Sequence, residues 1–187
     1  MKISPQSDCI WDYNGARLCI RLTADDGVTY LFESHYMVSD LFERPDASTS
    51  FCIQDARLLT CFQEGLSKIG LDDSSCLDLG LNAVACARFV RAAIPCSRYF
   101  KRSQIPNYKF SVGDVVSLYS KTSGIADCLV LEECDGDYLV RLMLLNPSYT
   151  FSAQEGRKCV LGAMIRVKSE YVCPSRIFAK KNSVRYA

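Results

Sequence analysis

The side chains that could carry out chemistry are few and scattered in this 187-residue chain. His35 is the only histidine, and a catalytic Cys–His pair would need a positioned cysteine that nothing in the local sequence supplies. The eleven cysteines stand singly, without the close pairs that a zinc site uses. Serine-hydrolase, zinc-protease and phosphate-loop motifs are missing as well. We therefore predict no enzymatic activity, no metal site and no cofactor.

Three pairs of adjacent acids are the remaining candidates for acid–base chemistry. They are Asp25–Asp26, Asp72–Asp73 and Glu132–Glu133. Neighbouring residues in a strand point to opposite faces, and acids in a turn are usually solvated. None of these pairs therefore predicts two carboxylates that converge on a substrate.

A run of basic residues is the strongest candidate for a binding site. Five cations and no acid occur between residues 88 and 102: Arg88, Arg91, Arg98, Lys101 and Arg102. The spacing of three places Arg88 and Arg91 on one side of a helix. These cations can complement the helix C-terminus as a solvated surface, or they can contact an acidic partner. Nucleic acid is a third interpretation, because Tyr99, Phe100 and Tyr108 occur beside them.

The composition predicts a folded cytoplasmic protein. Hydrophobic residues make up 49% of the chain and charged residues 23%, which favours a packed core over disorder. Many cysteines have apolar neighbours, so we interpret them as small hydrophobic residues of a reducing compartment. The N-terminus lacks the apolar stretch of a signal peptide, and no apolar run approaches the roughly 20 residues that span a bilayer. We expect a soluble protein that does not insert into membranes.

The first third of the chain alternates in the pattern of a strand meander. Strands are predicted over residues 9–13, 16–22 and 28–34. A turn at residues 25–27 joins the second strand to the third. This arrangement places Ile20 and Leu22 opposite Tyr30 and Phe32, or their neighbours, across a hairpin.

From Asp55 onward the apolar residues follow helical spacing. The first helix can end at Gly70, since glycine readily adopts the left-handed conformation of a helix end. A second helix, capped by Ser74 or Ser75, is predicted to run to about Ala93. It is apolar nearly all round, which predicts a buried helix at the centre of the first domain.

In the second half of the chain the sequence pattern changes from that of helices to that of β-strands. Strands are predicted over residues 110–120, 126–134, 137–145 and 158–168. Asp135-Gly136 is typical of a hairpin turn, and short strands at this spacing favour a small twisted barrel. We therefore predict an α+β protein with an N-terminal α/β domain, residues 1–105, and a C-terminal β-barrel-like domain, residues 106–187.

Several short motifs follow one another in the N-terminal half. They are M-K-I-x-P at residues 1–5, Trp11-x-Tyr13, Phe32-x-Ser34-x-Tyr36, Phe51-Cys52-x-x-Asp55-Ala56-x-Leu58, Phe62-x-Glu64, LGLNAVACARF at residues 79–89, and then Pro95, Ser97 and Phe100. In this order and spacing, roughly residues 1–100 resemble the Z-ring-associated protein C (ZapC) family of bacterial cell division. The C-terminal half departs much further from that family.

The resemblance implies a non-enzymatic, monomeric partner of FtsZ, the tubulin-like GTPase that forms the division ring at midcell. Members of the family bind FtsZ polymers, promote their lateral association and dampen GTP turnover. The resemblance also implies an α/β N-terminal domain that bears the binding pocket, joined to a twisted β-barrel-like domain. The alternative function is a nucleic-acid-binding module that uses the basic segments and the C-terminal barrel.

The family's binding positions can be followed onto this chain one residue at a time. Ile20 matches a hydrophobic position in the second strand, and Arg91 matches a basic one at the helix end. A lysine of the family corresponds to Cys96, so that contact is lost or is made by Arg98. Because FtsZ is acidic, the basic residues would steer association. Ile20 and Leu22 would supply an apolar anchor, for which plain core packing is the alternative.

Overall fold

The computed structural model describes residues 9–23, 27–42, 45, 49–91, 95–105, 108–122, 124–133, 139–150 and 158–177. The N-terminal part contains the strands β1 (Ile10–Asn14), β2 (Arg17–Thr23) and β3 (Thr29–Met37), followed by the helices α1 (Ile53–Lys68) and α2 (Asp73–Phe89). The rest contains β4 (Val115–Tyr119), β5 (Ile125–Glu133), β6 (Leu139–Leu144), β7 (Ser148–Thr150), β8 (Lys158–Val160), β9 (Met164–Lys168) and β10 (Cys173–Pro174). The α+β class is confirmed.

The first three strands form an antiparallel sheet in the order β1-β2-β3. Ile20 lies opposite Phe32, and Leu22 lies opposite Tyr30, so the predicted hairpin register is confirmed. Gly27, with φ of 78°, lies in the predicted turn, whose two aspartates fall outside the described residues.

Both helices are present, but their ends differ from the prediction. α1 begins two residues earlier, at Ile53, and Gly70 follows its end with φ of 88°. α2 is capped by Asp72, which accepts from Ser75 N at 2.9 Å, rather than by one of the predicted serines. It ends at Phe89 instead of about Ala93, because the next residue is extended and pairs with another segment.

The C-terminal strands form an antiparallel sheet in the order β10-β4-β5-β6-β9, with β7 and β8 as a separate pair. Within the described residues this sheet is open, with β9 and β10 at its edges, so the predicted barrel is not found there. The strand predicted over 158–168 is two strands, since Gly162 interrupts it with φ of 83°. The predicted Asp135-Gly136 turn lies outside the described residues.

The helix α2 lies in a core that both halves of the chain supply. Nine of its residues are buried, which confirms the predicted central helix. Val115, Leu129 and Met143 of the five-stranded sheet belong to the same hydrophobic cluster as the first sheet and the helices. The other face of that sheet covers a second cluster, which includes Phe100. The predicted domain boundary near residue 105 therefore stays a prediction.

Gly65 of α1 packs closely against a segment of the C-terminal half. A Cβ at Gly65 would lie 1.7 Å from the main-chain O of Gly113, in the turn that precedes β4. A Cβ at Gly80, by contrast, would lie 2.9 Å from Leu59 Cδ1, the end of a flexible side chain.

We expect Gly65→Ala to lower the free energy of unfolding by about 2 kcal/mol, because the clash forces a backbone shift in a packed core. The matched substitution Gly80→Ala introduces the same methyl group in a helix, and alanine favours helix by about 1 kcal/mol relative to glycine. Urea denaturation of the two variants measures the difference. Equal stability of both variants would show that the Gly65–Gly113 contact does not constrain the fold.

Candidate partner-binding site

The C-terminal end of α2 holds two of the predicted arginines in place. Val90, just after the helix, is extended and pairs with Leu41. The main-chain N–H of Arg91 donates to Asp40 O at 3.0 Å, and its Nε donates to Leu41 O at 2.9 Å. Arg91 is exposed, and together with Arg88 in the last turn it lies where a cation complements the helix dipole.

Arg88 compensates a buried carboxylate. Asp55 is 2% exposed, and its Oδ2 accepts from Trp11 Nε1 at 3.1 Å and from Cys52 N at 3.0 Å. Arg88 Nη1 donates to the same oxygen and completes an ion pair. The Arg88 guanidinium carbon also lies 5.0 Å from the centroid of the Phe89 ring, within cation–π distance.

Arg141 on β6 is a third arginine at this helix end, and sequence reasoning missed it. Its Nη2 donates at 3.1 Å to Cys86 O in the last turn of α2, a carbonyl that also accepts from the main-chain N–H of Val90. Its Nη1 pairs with Glu132 Oε2 at 2.8 Å, and its buried Nε has no hydrogen-bond partner among the described residues. The sequence did contain a signal for it. Arg141 precedes Met143 by two residues, and residues two apart in a strand share a face, so both side chains point to the interior.

A cavity of about 760 Å³ lies between the helices and the five-stranded sheet, and its lining includes Arg88 and Arg141. Two cations, Arg88 and Arg141, meet two carboxylates there, Asp55 and Glu132. Apolar side chains complete the wall: Leu58, Ala87, Val112 and Leu131. The cavity is therefore balanced in charge and suits a ligand surface that is partly apolar and partly polar.

Of the five predicted cations, all of which the structure describes, Arg88 lines this cavity and the other four do not. Arg98 is exposed, and its guanidinium carbon lies 4.7 Å from the centroid of the Tyr99 ring. Lys101 and Arg102 line a second cavity of about 490 Å³ together with Arg176, which the sequence analysis did not single out. The five cations of the basic run are thus distributed between two different cavities and the chain that joins them.

Ile20 and Leu22 lie in the core and line neither cavity. They are 0% and 6% exposed, and both belong to the hydrophobic cluster around α2. Tyr30, directly opposite Leu22, is 44% exposed. Because opposite residues of an antiparallel pair share a face, Tyr30 extends the apolar face of Leu22 to the surface.

Ten of the eleven cysteines are described, and all ten are free thiols. Burial raises the pKa of the Cys86 thiol to about 11 and also raises the pKa of Cys128. Since the thiolate is the nucleophile, both thiols are held in the unreactive form at neutral pH. Cys52, which lines the first cavity, and Cys159 are only partly buried.

Comparison with known proteins links this arrangement to one family. Residues 2–91, which contain β1 to β3, α1 and α2, match the family model described as cell-division protein ZapC, N-terminal. The cell division protein ZapC of Musicola paradisiaca is 24% identical over 176 residues, 93% of this chain and 90% of the relative. That of Photobacterium profundum is 23% identical over 157 residues, 84% of this chain and 86% of the relative. The chain is similar to the ZapC family over most of its length.

This similarity confirms the resemblance carried by the N-terminal motifs. The family is one of cell-division proteins and is not a known enzyme family. An alignment of 176 residues also extends well into the C-terminal half, where the motifs alone found little to compare. Within the described residues, neither α1 nor α2 combines the length and the hydropathy of a membrane span.

Asp55→Ala tests the buried ion pair at this site. We expect a loss of about 3 kcal/mol in the free energy of unfolding, because Arg88 loses its partner and two further donors lose their acceptor. The estimate is at the low end for a buried pair, since the Arg88 side chain is 30% exposed. Urea denaturation measures the change, with Asp78→Ala, an exposed acid of the same helix as Arg88, as the control.

A double-mutant cycle with Arg88→Ala isolates the pair itself. The doubly substituted protein should be more stable than the sum of the two single losses predicts, because it contains no uncompensated charge. Strictly additive losses would contradict the pairing.

Alkylation of the native protein tests the state of the thiols. With iodoacetamide at pH 8, we expect Cys52 and Cys159 to be modified before Cys86 and Cys128, which should react only after unfolding in urea. Peptide mass spectrometry identifies the modified residues. Rapid native modification of Cys86 would contradict its burial, and one exceptionally fast thiol would revive the interpretation as a cysteine-dependent enzyme.

Proposed function

We propose that this chain is a non-enzymatic cell-division protein that binds FtsZ polymers at the midcell ring. In this proposal it promotes lateral association of the polymers, stabilises them and lowers their GTP turnover. The observation that carries the proposal is the match of residues 2–91 to the ZapC N-terminal domain. That segment ends at Arg91, so it includes the whole first sheet and both helices with the arginines at the end of α2.

Electrostatic steering by exposed cations supports this proposal. Arg91 and Arg98 are exposed on either side of the link that leaves α2, and an acidic polymer would be attracted to them over a Debye length of about 8 Å at physiological salt. Arg88 contributes less to this field, because Asp55 compensates its charge at contact distance. We therefore assign steering to Arg91 and Arg98 and a supporting role to Arg88.

The hairpin of β2 and β3 would supply the apolar part of the contact. Charge contributes more to the rate of encounter than to the lifetime of a complex, which usually depends on a few desolvated anchors. Tyr30 is the surface residue of this face, and Leu22 and Ile20 lie beneath it. In the proposal, these two buried residues hold the shape of the binding surface.

Lateral association by a monomer requires two contact surfaces on one molecule. The N-terminal surface is the main one in this proposal, and the cations Lys101 and Arg102 of the second cavity belong to the other. A protein with a single surface would coat FtsZ polymers without joining them.

Pelleting with GTP-assembled FtsZ of the same organism tests the proposal. Arg91→Asp/Arg98→Asp should reduce the bound fraction about tenfold or more, because two attractive charges become repulsive. The melting temperature should fall only slightly, because both side chains are exposed and the main loss is the single hydrogen bond from Arg91 Nε to Leu41 O. The matched control is Arg57→Asp/Lys109→Asp, which reverses two exposed cations that line neither cavity.

Light scattering and phosphate release in the same mixtures measure bundling and GTP turnover. Unchanged pelleting of the Arg91/Arg98 variant would remove these residues from the site. Failure of the unsubstituted protein to pellet would overturn the proposed function as a whole.

A further inference from the structure

The second cavity lies beside the strands β10 and β4 of the five-stranded sheet. Its volume is about 490 Å³, and its walls come from the segment 101–105, from Tyr119 of β4 and from residues 173, 174 and 176. Three of its side chains are cations: Lys101, Arg102 and Arg176.

One wall of this cavity is held in place by main-chain contacts. Phe100 is fully buried and pairs with Ser120, which anchors the start of the segment. The main-chain N–H of Lys101 donates to Tyr119 O at 2.7 Å, and that of Ser103 donates to Glu170 O at 2.8 Å. A ligand would therefore meet a wall that needs little ordering, which reduces the entropic cost of binding.

The opposite wall is held by a buried carboxylate. Both Nε and Nη2 of Arg176 donate to Asp127 Oδ2, at 3.1 and 2.8 Å. Ser117 Oγ donates to the other oxygen of Asp127 at 2.8 Å and accepts from the main-chain N–H of Arg176 at 3.1 Å. Arg176 is thereby fixed at the rim, with its side chain 43% exposed.

The cations of the rim outnumber the acids that are accessible there. Asp127 is buried beneath Arg176 and is not accessible to a ligand. In the part of the chain that the structure describes, the exposed acid next to this rim is Glu170. Glu170 and Arg102 are 3.5 Å apart, with side chains 42% and 71% exposed. Such a solvent-exposed pair contributes little to stability, so an incoming carboxylate can replace Glu170.

Apolar surface is exposed between these cations. Ile105 is 51% exposed and Tyr119 is 36% exposed, and Pro174 lies in the same lining. An isoleucine contributes nothing to the recognition of a phosphate chain, and tight nucleic-acid binding requires many cations that contact successive phosphates. This cavity instead combines one exposed apolar surface with two accessible cations. That combination is complementary to a peptide in which acidic residues flank an apolar side chain.

We propose that this cavity binds a short acidic peptide segment of a partner protein. An apolar side chain of the peptide packs between Ile105 and Tyr119, and its carboxylates contact Lys101 and Arg102. The site is the second contact surface of the proposed function, but its recognition of an acidic peptide does not depend on which protein carries that peptide.

Fluorescence polarisation with a synthetic probe tests the site on the full chain. The probe is a capped, fluorescein-labelled octapeptide of six aspartates around two central leucines. Lys101→Glu/Arg102→Glu should weaken binding about tenfold or more, and Ile105→Ser about threefold or more. Arg57→Glu/Lys109→Glu is the matched control and should bind like the unsubstituted protein, and the melting temperature of each variant reports on folding.

Two further probes decide between occupants. A peptide in which serines replace the two leucines should bind more weakly to the unsubstituted protein, and an octathymidine strand should bind more weakly than the leucine peptide. Equal binding of all protein variants, equal binding of the two peptides, or preferred binding of the oligonucleotide would each overturn the proposal. Pelleting with FtsZ is measured separately, so either proposal can fail while the other stands.

Discussion

Donors from three elements converge on one oxygen of the buried Asp55 carboxylate. An uncompensated carboxylate at 2% exposure would cost several kcal/mol. The indole of Trp11 comes from β1, the N–H of Cys52 from the residue before α1, and the guanidinium of Arg88 from the last turn of α2. The sheet, the start of one helix and the end of the other are therefore fixed relative to a single atom.

This constraint extends to the C-terminal sheet through the end of α2. Arg141 of β6, which lines the same cavity as Asp55 and Arg88, donates to Cys86 O in this helix end. The contact of Gly65 with Gly113 brings α1 against the turn before β4 in the same region. The first cavity lies between these contacts, so its four charged groups are part of the joint between the two halves of the molecule.

The parts of the fold that depend on neighbouring residues could be predicted from the sequence. Alternation around Ile20 and Leu22 was enough to predict the hairpin register, and the apolar spacing of α2 was enough to predict its burial. The end of α2 could not be predicted, because the pairing of Val90 with Leu41 decides it. The break at Gly162 likewise depends on contacts with distant residues, since its carbonyl accepts from Tyr36 OH at 2.8 Å.

The candidate site shows the same division between local and distant information. The basic run was visible from Arg88 to Arg102, because charges that are close in sequence can be counted. The partner of Arg88 is 33 residues away in the chain, and Arg141 reaches α2 across 55 residues. Which cations are compensated and which remain exposed is therefore a property of the tertiary structure.

That distinction decides where the electrostatic field of the molecule is strongest. A cation in contact with an acid acts at a distance almost as a dipole, so it contributes little to long-range attraction. Such pairs include Arg88 with Asp55, Arg141 with Glu132, and Arg176 with Asp127. In the segment of residues 91–102, the exposed cations Arg91, Arg98 and Lys101 contribute more than Arg102, which lies 3.5 Å from Glu170. This segment begins at Arg91, where the match to the ZapC N-terminal domain ends, and crosses to the edge of the C-terminal sheet at Phe100. An acidic partner attracted to it would arrive at the junction of the two halves, within reach of both.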